Sequence, residues 1–207
     1  MMQKKLYIHI GNHKTGTSLI QKFSYESANN LEELGLIYPK IGIPKINNVY
    51  GHHNFAWELN NDKRFNPQIG NFHDLNKIFK KEKNVLISSE DFESLESNLI
   101  LNKFFKMIHE CNYTINIIWF VRKQEDILPS LINEIIKKRA VIKDLDLLIS
   151  NILKNGFLKY SHWKFWLNYE LQLEKILKIF KVDKTSVFLC WYSIKARYSI
   201  FQLLLTS

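Results

Sequence analysis

Apolar and polar positions along the chain change period several times, and each change marks an element. "KLYIHI" alternates and is rich in β-branched residues, which predicts a first strand over residues 5–10. The apolar spacing from Leu19 through Phe23, Leu31 and Leu34 predicts a helix that ends at Gly35. Residues 36–72, with "IYPKIGIPKINNVYGHHNF", hold most of the prolines and glycines and read as a long surface segment with a short helix near "NFAWELN". Segments this long inside a compact domain often carry function. "NVLISSE" (84–90) and "YTINIIWFVR" (113–122) are near-continuous apolar runs, the pattern of parallel strands covered on both faces. Helical periods occupy 98–110, 126–139, 143–154 and 157–180, and "SVFLCWY" (186–192) predicts a fourth strand. Strands alternating with helices predict an α/β domain with a parallel sheet between two helical layers, its site at the carboxyl ends of the strands.

With 207 residues the chain suits a single domain over 1–207, and no repeat, linker or low-complexity stretch divides it. A globule of this size buries roughly 70% of its unfolded surface, so a full core is available. Apolar residues at 46% and charged ones at 24% exclude collagen-like and disordered classes. "INIIWFV" and "IFQLLL" are far shorter than the ~20 residues of a membrane span. "MMQKKLYIHIG" has too short an apolar core for a secretory signal, so a cytoplasmic location is expected. Cys111 and Cys190 have no thiol or histidine at ligand spacing and are expected to be buried free thiols, with no metal site. A formal charge of +9 favours an anionic partner. The absence of basic stretches interleaved with aromatics argues against nucleic acid.

The chemistry begins in "IHIGNHKTGTSLIQKF". Glycines at a strand-to-helix turn let backbone approach an oxyanion, and the helix N-terminus that follows holds it. Gly11 closes the strand, Gly16 permits the approach, and Thr17 or Ser18 is expected to cap the helix; His13, Lys14 and Thr15 fill the loop. In nucleoside triphosphatases the lysine follows the second glycine; here Lys14 precedes Gly16. A second constellation lies in "FVRKQEDILPSLINEIIKK". Arg122 leaves an apolar strand where a planar guanidinium can grip a phosphate, Asp126 is expected to cap the next helix with Pro129 in its first turn, and Ser130 offers a hydroxyl.

The order G-x-H-K-T-G-T-S after a first strand resembles the 5′-phosphosulfate loop of sulfotransferases that use 3′-phosphoadenosine 5′-phosphosulfate (PAPS). Arg122 and Ser130, eight residues apart, resemble the family's second, 3′-phosphate motif. The likeness covers roughly residues 4–192. It implies a P-loop NTPase-like sulfotransferase fold, with a three-layer parallel β-sheet flanked by helices, and PAPS as sulfuryl donor without a metal. It also implies an acceptor hydroxyl, taken to be that of a bacterial saccharide or glycolipid.

In this reading Gly11, His13, Lys14, Thr15, Gly16, Thr17, Ser18, Arg122 and Ser130 bind the donor, and Lys14 also neutralises the leaving phosphate. Two residues compete for the base. His53, in "GHHNFAWEL", sits where some polysaccharide sulfotransferases carry a histidine, with His52 beside it. Glu90 ends the second strand, where partial burial would raise its carboxyl pKa, and its alternative role is to cap the following helix. His9 is expected to pack, and Trp57, Trp163 and Trp166 to lie in the core rather than stack on a sugar.

Members of the family usually continue beyond the fourth strand into a segment that closes over the adenosine. Here "WYSIKARYSIFQLLLTS" ends the chain with no glycine-rich lid, which leaves activity open. The alternatives are a small-molecule kinase and a degenerate nucleotide- or glycan-binding protein.

Overall fold

The computed structural model describes residues 3–137, 145–160 and 163–191. The terminal segment 193–207 and the side chain of Trp163 lie outside the described residues. Strand β1 (Lys4–His9) is followed by α1 (Thr17–Glu26) and α2 (Ala28–Glu33), then a two-residue strand β2 (Leu36–Ile37). Next come α3 (His53–Leu59), α4 (Leu75–Phe79), β3 (Asn84–Ser88), α5 (Leu99–Glu110) and β4 (Tyr113–Val121). After them run α6 (Gln124–Lys137), α7 (Leu145–Asn155), the hairpin β5 (Phe157–Tyr160) and β6 (Trp163–Trp166), α8 (Tyr169–Phe180) and β7 (Val187–Trp191).

Five strands form one sheet in the order β2-β3-β1-β4-β7, and every pairing in it is parallel. The two faces follow from the period of two. Leu6, Ile8, Val85, Ile87, Ile117 and Trp119 pack under α3, α4, α5 and α8, while Tyr7, Leu86, Ile118 and Phe120 pack under α1 and α2. The expected helix–sheet–helix layering is therefore present. Adjacent β1 and β4 send their connections to opposite edges of the sheet, which opens the crevice at their carboxyl ends.

Four expectations change. The stretch 157–180 contains a helix only from Tyr169; before it, from Phe157 to Trp166, runs the antiparallel β5–β6 hairpin, whose Leu158 and Phe165 join Ile127, Leu131 and Ile152 in a separate small core. The helix before Gly35 breaks at Ser27, and its buried face is Thr17, Ile20, Gln21 and Ser24, whereas Leu19, Phe23 and Leu34 are 46%, 45% and 62% exposed. Segment 36–72 is more than surface chain: Tyr38, Ile43, His52 and Asn54 are buried, and His52 N–H donates to the Ser88 carbonyl at 2.6 Å. Helix α6 starts two residues before Asp126, so that residue lies in the first turn instead of at the cap. Pro129 then falls in the second turn, where it costs an internal hydrogen bond.

Candidate functional site

The loop 11–16 is an extension of the sheet before it is a turn. Phe120 N–H donates to the Gly11 carbonyl at 2.7 Å and Asn12 N–H to the Phe120 carbonyl at 2.9 Å, so β4 holds the loop's first half. The Asn12 side chain is buried, exchanges two hydrogen bonds with the Gln172 amide of α8 at 2.6 and 3.1 Å, and accepts a third from Trp119 Nε1 at 3.0 Å. Thr15, fully buried, donates through Oγ1 to the Asn12 carbonyl at 2.5 Å. The turn then requires positive φ at Lys14 (65°) and at Gly16 (77°). Gly16 is the N-cap of α1, and no side chain caps that helix, contrary to the role expected of Thr17 or Ser18. A ten-residue helix thus presents its N-terminus without a side-chain acceptor. Gly11 (φ 104°) lies so close to the turn after β3 that a Cβ there would sit 3.3 Å from Glu90 Cα.

A cavity of about 480 Å³ opens beside this loop. His13, Lys14, Gly16, Thr17 and Ser18 line one side; His53, Trp57, Arg64, Glu90 and Asp91 line the other. Glu134 and Phe165 also line it. Both base candidates, three residues of the loop and the first two of α1 thus meet in one space. A second cavity, about 590 Å³ among Leu128, Ile152, Leu167 and Tyr169, contains neither, so its larger size does not make it the chemical centre.

The two histidines of "GHHNF" separate cleanly. His52 is fully buried, its Nε2 lies 2.8 Å from the Pro39 carbonyl and its Nδ1 accepts from Ser88 N–H at 3.0 Å. Burial pushes it down to about 4, so it is a neutral structural tie. His53, 14% exposed at its side chain, places Nδ1 2.8 Å from Ser89 Oγ and 3.7 Å from Asp91 Oδ2, and stacks on Trp57. Asp91 also accepts from Trp57 Nε1 at 2.6 Å and faces Arg64 at 3.6 Å.

Glu90 accepts from Gln21 Nε2 at 2.7 Å. Burial would raise its carboxyl pKa, but His53, His13 and the Gln21 amide outweigh that and hold it below the usual value, contrary to the expected rise. The turn it opens is capped by Ser89, whose Oγ accepts from Asp91 N–H at 3.1 Å, so Glu90 is not the cap either.

Lys14 Nζ donates to Glu134 Oε2 of α6 at 2.8 Å. Arg122 reaches the loop from the end of β4, its NH1 donating to the Lys14 carbonyl at 3.5 Å and its Nε 3.7 Å from Asp126. Its backbone is clamped by Tyr169, whose hydroxyl donates to the Arg122 carbonyl at 2.5 Å. Arg122 and half-buried Ser130 do not line the cavity. His9 packs edge-on against Phe120, with Nδ1 2.7 Å from Ser88 Oγ, and is held down to about 4 by burial. Trp57 lines the cavity while Trp166 is buried. Among the described residues no cluster of three metal-ligating side chains occurs, and no helix is long and apolar enough to cross a membrane.

Sequence reasoning passed over Asn12, Asp91, Glu93, Glu134 and Gln172. Glu134 had a signal, since it lies one turn after Ser130 on the same helix. Asn12 and Gln172 are 160 positions apart and had none.

No family model matches the sequence, and no curated protein does. Among solved structures the chain is similar to a sulfotransferase from Alicyclobacillus acidocaldarius, with a TM-score of 0.52 and 14% identity, over 99% of this chain and 78% of that one. The chain has the sulfotransferase fold.

Proposed function

We propose that this chain is a sulfotransferase that moves a sulfuryl group from PAPS to a hydroxyl of a saccharide acceptor. One observation carries the reading: a single cavity is lined by the lysine and hydroxyls of the loop on one side and by His53 on the other. The fold, shared with a sulfotransferase of known structure, supports it. The residues also fit the donor. The N-terminus of α1 has no side-chain cap, a positive φ at Gly16 exposes backbone N–H groups, and Lys14 stands beside them. Arg122 touches the same loop through the Lys14 carbonyl and, with Ser130, would hold the 3′-phosphate.

When bound, PAPS supplies an activated sulfuryl group on the oxygen of a phosphate leaving group. His53 accepts the acceptor's hydroxyl proton as the new S–O bond forms. Its partners orient it: Ser89 and Asp91 engage the Nδ1 side and Trp57 the ring face. Lys14 neutralises the charge that collects on the phosphate as the old S–O bond breaks. Glu90 is the poorer base, because the two histidines stabilise its ionised form. Its carboxylate instead keeps negative charge on the wall beside His53.

The reading is tested by calorimetric titration with 3′-phosphoadenosine 5′-phosphate, with and without magnesium, on the wild type, Lys14→Ala and Arg122→Ala. Magnesium-independent binding that both substitutions weaken supports it. Binding only of adenosine triphosphate with magnesium sinks it. Transfer of labelled sulfate from PAPS to a panel of saccharides then identifies the acceptor.

A further inference from the structure

Behind the loop lies an ionisable group the proposed reaction does not use. The Glu93 side chain is 1% exposed, with Oε1 2.5 Å from His13 Nδ1, while Oε2 is buried with no hydrogen-bond partner among the described residues. An isolated carboxylate so deeply buried is costly, and it is tolerated in ionised form only beside a compensating charge. His13 belongs to the loop, lines the cavity and rests edge-on against Phe165 at 5.1 Å; Glu93 does not line the cavity. The positive end of the pair therefore faces the cavity and the negative end faces the core.

We propose that His13 and Glu93 form a buried ion pair that makes His13 a second fixed positive charge of the loop, beside Lys14, for the 5′ end of the donor. The proposal rests on the reading of the cavity as a phosphosulfate site. It gives a physical reason for a second cation there. Lys14 is already shared with Glu134, and of the other wall carboxylates Asp91 faces Arg64 at 3.6 Å, so at the loop itself one ammonium would stand against Glu134 and Glu90. The groups packed around His13 are Glu90, Asp91 and Glu93 from the turn after β3, Lys14 from its own loop and Glu134 from α6. From α8 come Tyr169, coupled to Glu93, and Lys175, whose Nζ lies 3.5 Å from the Glu93 carbonyl. Burial alone would lower His13, but Glu93, with help from Glu90 and Asp91, raises it to about 9. Burial also raises the Glu93 carboxyl, and the His13 ring at 2.5 Å is the charge that opposes that rise and favours the ionised pair.

The direction of pH dependence follows. A histidine raised in this way stays charged through neutrality, so donor binding should weaken only as pH rises toward 9. In Glu93→Gln the main raising influence is gone and burial, opposed only by Glu90 and Asp91, lets the ring lose its proton well below 9. At pH 8 that variant should bind 3′-phosphoadenosine 5′-phosphate roughly tenfold more weakly than wild type, the size of one charge-assisted hydrogen bond, and the deficit should shrink as pH falls to 5.5. Taking the ratio at each pH removes the ligand's own titration.

Two measurements decide the matter: calorimetry at pH 5.5, 7 and 8 on wild type and Glu93→Gln, and proton NMR titration of the His13 ring in the ligand-free protein. A ratio that grows with pH, with His13 still protonated above pH 7.5, supports the pair. A ratio constant across pH, or a wild-type His13 that titrates below 6.5, overturns it. If Glu93→Gln does not fold, His13→Gln replaces it, and the expected result is loss of the wild-type decline in affinity between pH 7 and 10. Should the wild type bind no 3′-phosphoadenosine 5′-phosphate at any pH, the sulfotransferase reading falls, while the NMR titration still decides whether His13 is held charged.

Discussion

His52 and His53 are neighbours with opposite fates, and substitution should separate them. His52→Ala leaves the buried Ser88 N–H and Pro39 carbonyl without their partners and opens a void against Phe55, at a cost of about 2–4 kcal/mol. A denaturant midpoint should register it. His53→Ala should lower that midpoint less, because its ring stands at the cavity wall and bonds a single hydroxyl rather than two buried backbone groups. Turnover should fall about 10²–10⁴-fold with 3′-phosphoadenosine 5′-phosphate affinity unchanged. Full turnover in His53→Ala would remove it as the base. Lys14 and Glu134 allow an opposite kind of prediction, a gain. Their pair is about one-third exposed on each side, so it is worth no more than ~1 kcal/mol. Glu134→Gln removes a carboxylate from the wall that receives an anion, and should tighten 3′-phosphoadenosine 5′-phosphate binding up to about fivefold by calorimetry. Weaker binding would show that Glu134 positions Lys14 instead of competing for it.

Among the elements, the sheet strands were legible because a strand buried on both faces needs little more than a short apolar run between breakers, and β1, β3 and β4 have that form; β7 has the same apolar run although it is the sheet's edge, with Leu189 60% exposed. The loop and the end of β4 were legible for a related reason: glycine, lysine and hydroxyl at a strand-to-helix turn have local meaning. What failed was any feature decided by a distant partner. "FLKYSHWKFW" has apolar residues at helical spacing, yet Leu158 and Phe165 are wanted on one side of a hairpin by Ile127 and Leu131 of α6. In α1 the buried Gln21 and Ser24 took the face that Leu19 and Phe23 were expected to fill, because that helix shields a polar site whose Glu90 needs the Gln21 amide. The tie between the loop and α8 is the strongest of these long-range effects. Gln172→Ala leaves Asn12 Nδ2 buried without its acceptor, which should cost about 1–3 kcal/mol. The loosened loop should also lower 3′-phosphoadenosine 5′-phosphate affinity, although Gln172 lies on α8 outside the cavity lining. Unchanged affinity alongside lost stability would show that β4 alone fixes the loop.

For the whole molecule, the charged and titratable groups predict a stability that falls on both sides of neutrality. His9 and His52 are held down to about 4 when folded, against 6.5 in the unfolded chain, so the unfolded state binds more protons between those values. Their contribution is complete above pH 6.5 and is lost as pH falls toward 4. Glu90, held below its usual value, is likewise stabilising above that value and loses its contribution in acid. Glu58 opposes them: burial raises it to about 7, so it favours the folded state at acid pH and loses that contribution between about 4.5 and 7. Burial raises the Glu93 carboxyl as well, so these two groups stand against His9, His52 and Glu90, and the acid arm falls less steeply than those three alone would make it. A formal charge of +9, growing as carboxylates protonate, adds self-repulsion in the same direction. On the alkaline side the His13 pair works the other way. The folded state holds that proton up to about 9, so its stabilisation is complete below 6.5 and disappears as pH rises through 9. Thermal melts from pH 4 to 10 should therefore peak between about 6.5 and 7.5. His13→Gln should flatten the alkaline arm and also weaken the acid arm through Glu90, whose ionised form His13 helps to hold, while the His9 and His52 contributions remain. A wild-type curve that rises monotonically to pH 10 would contradict the assignment of His13 as a charge held by the core.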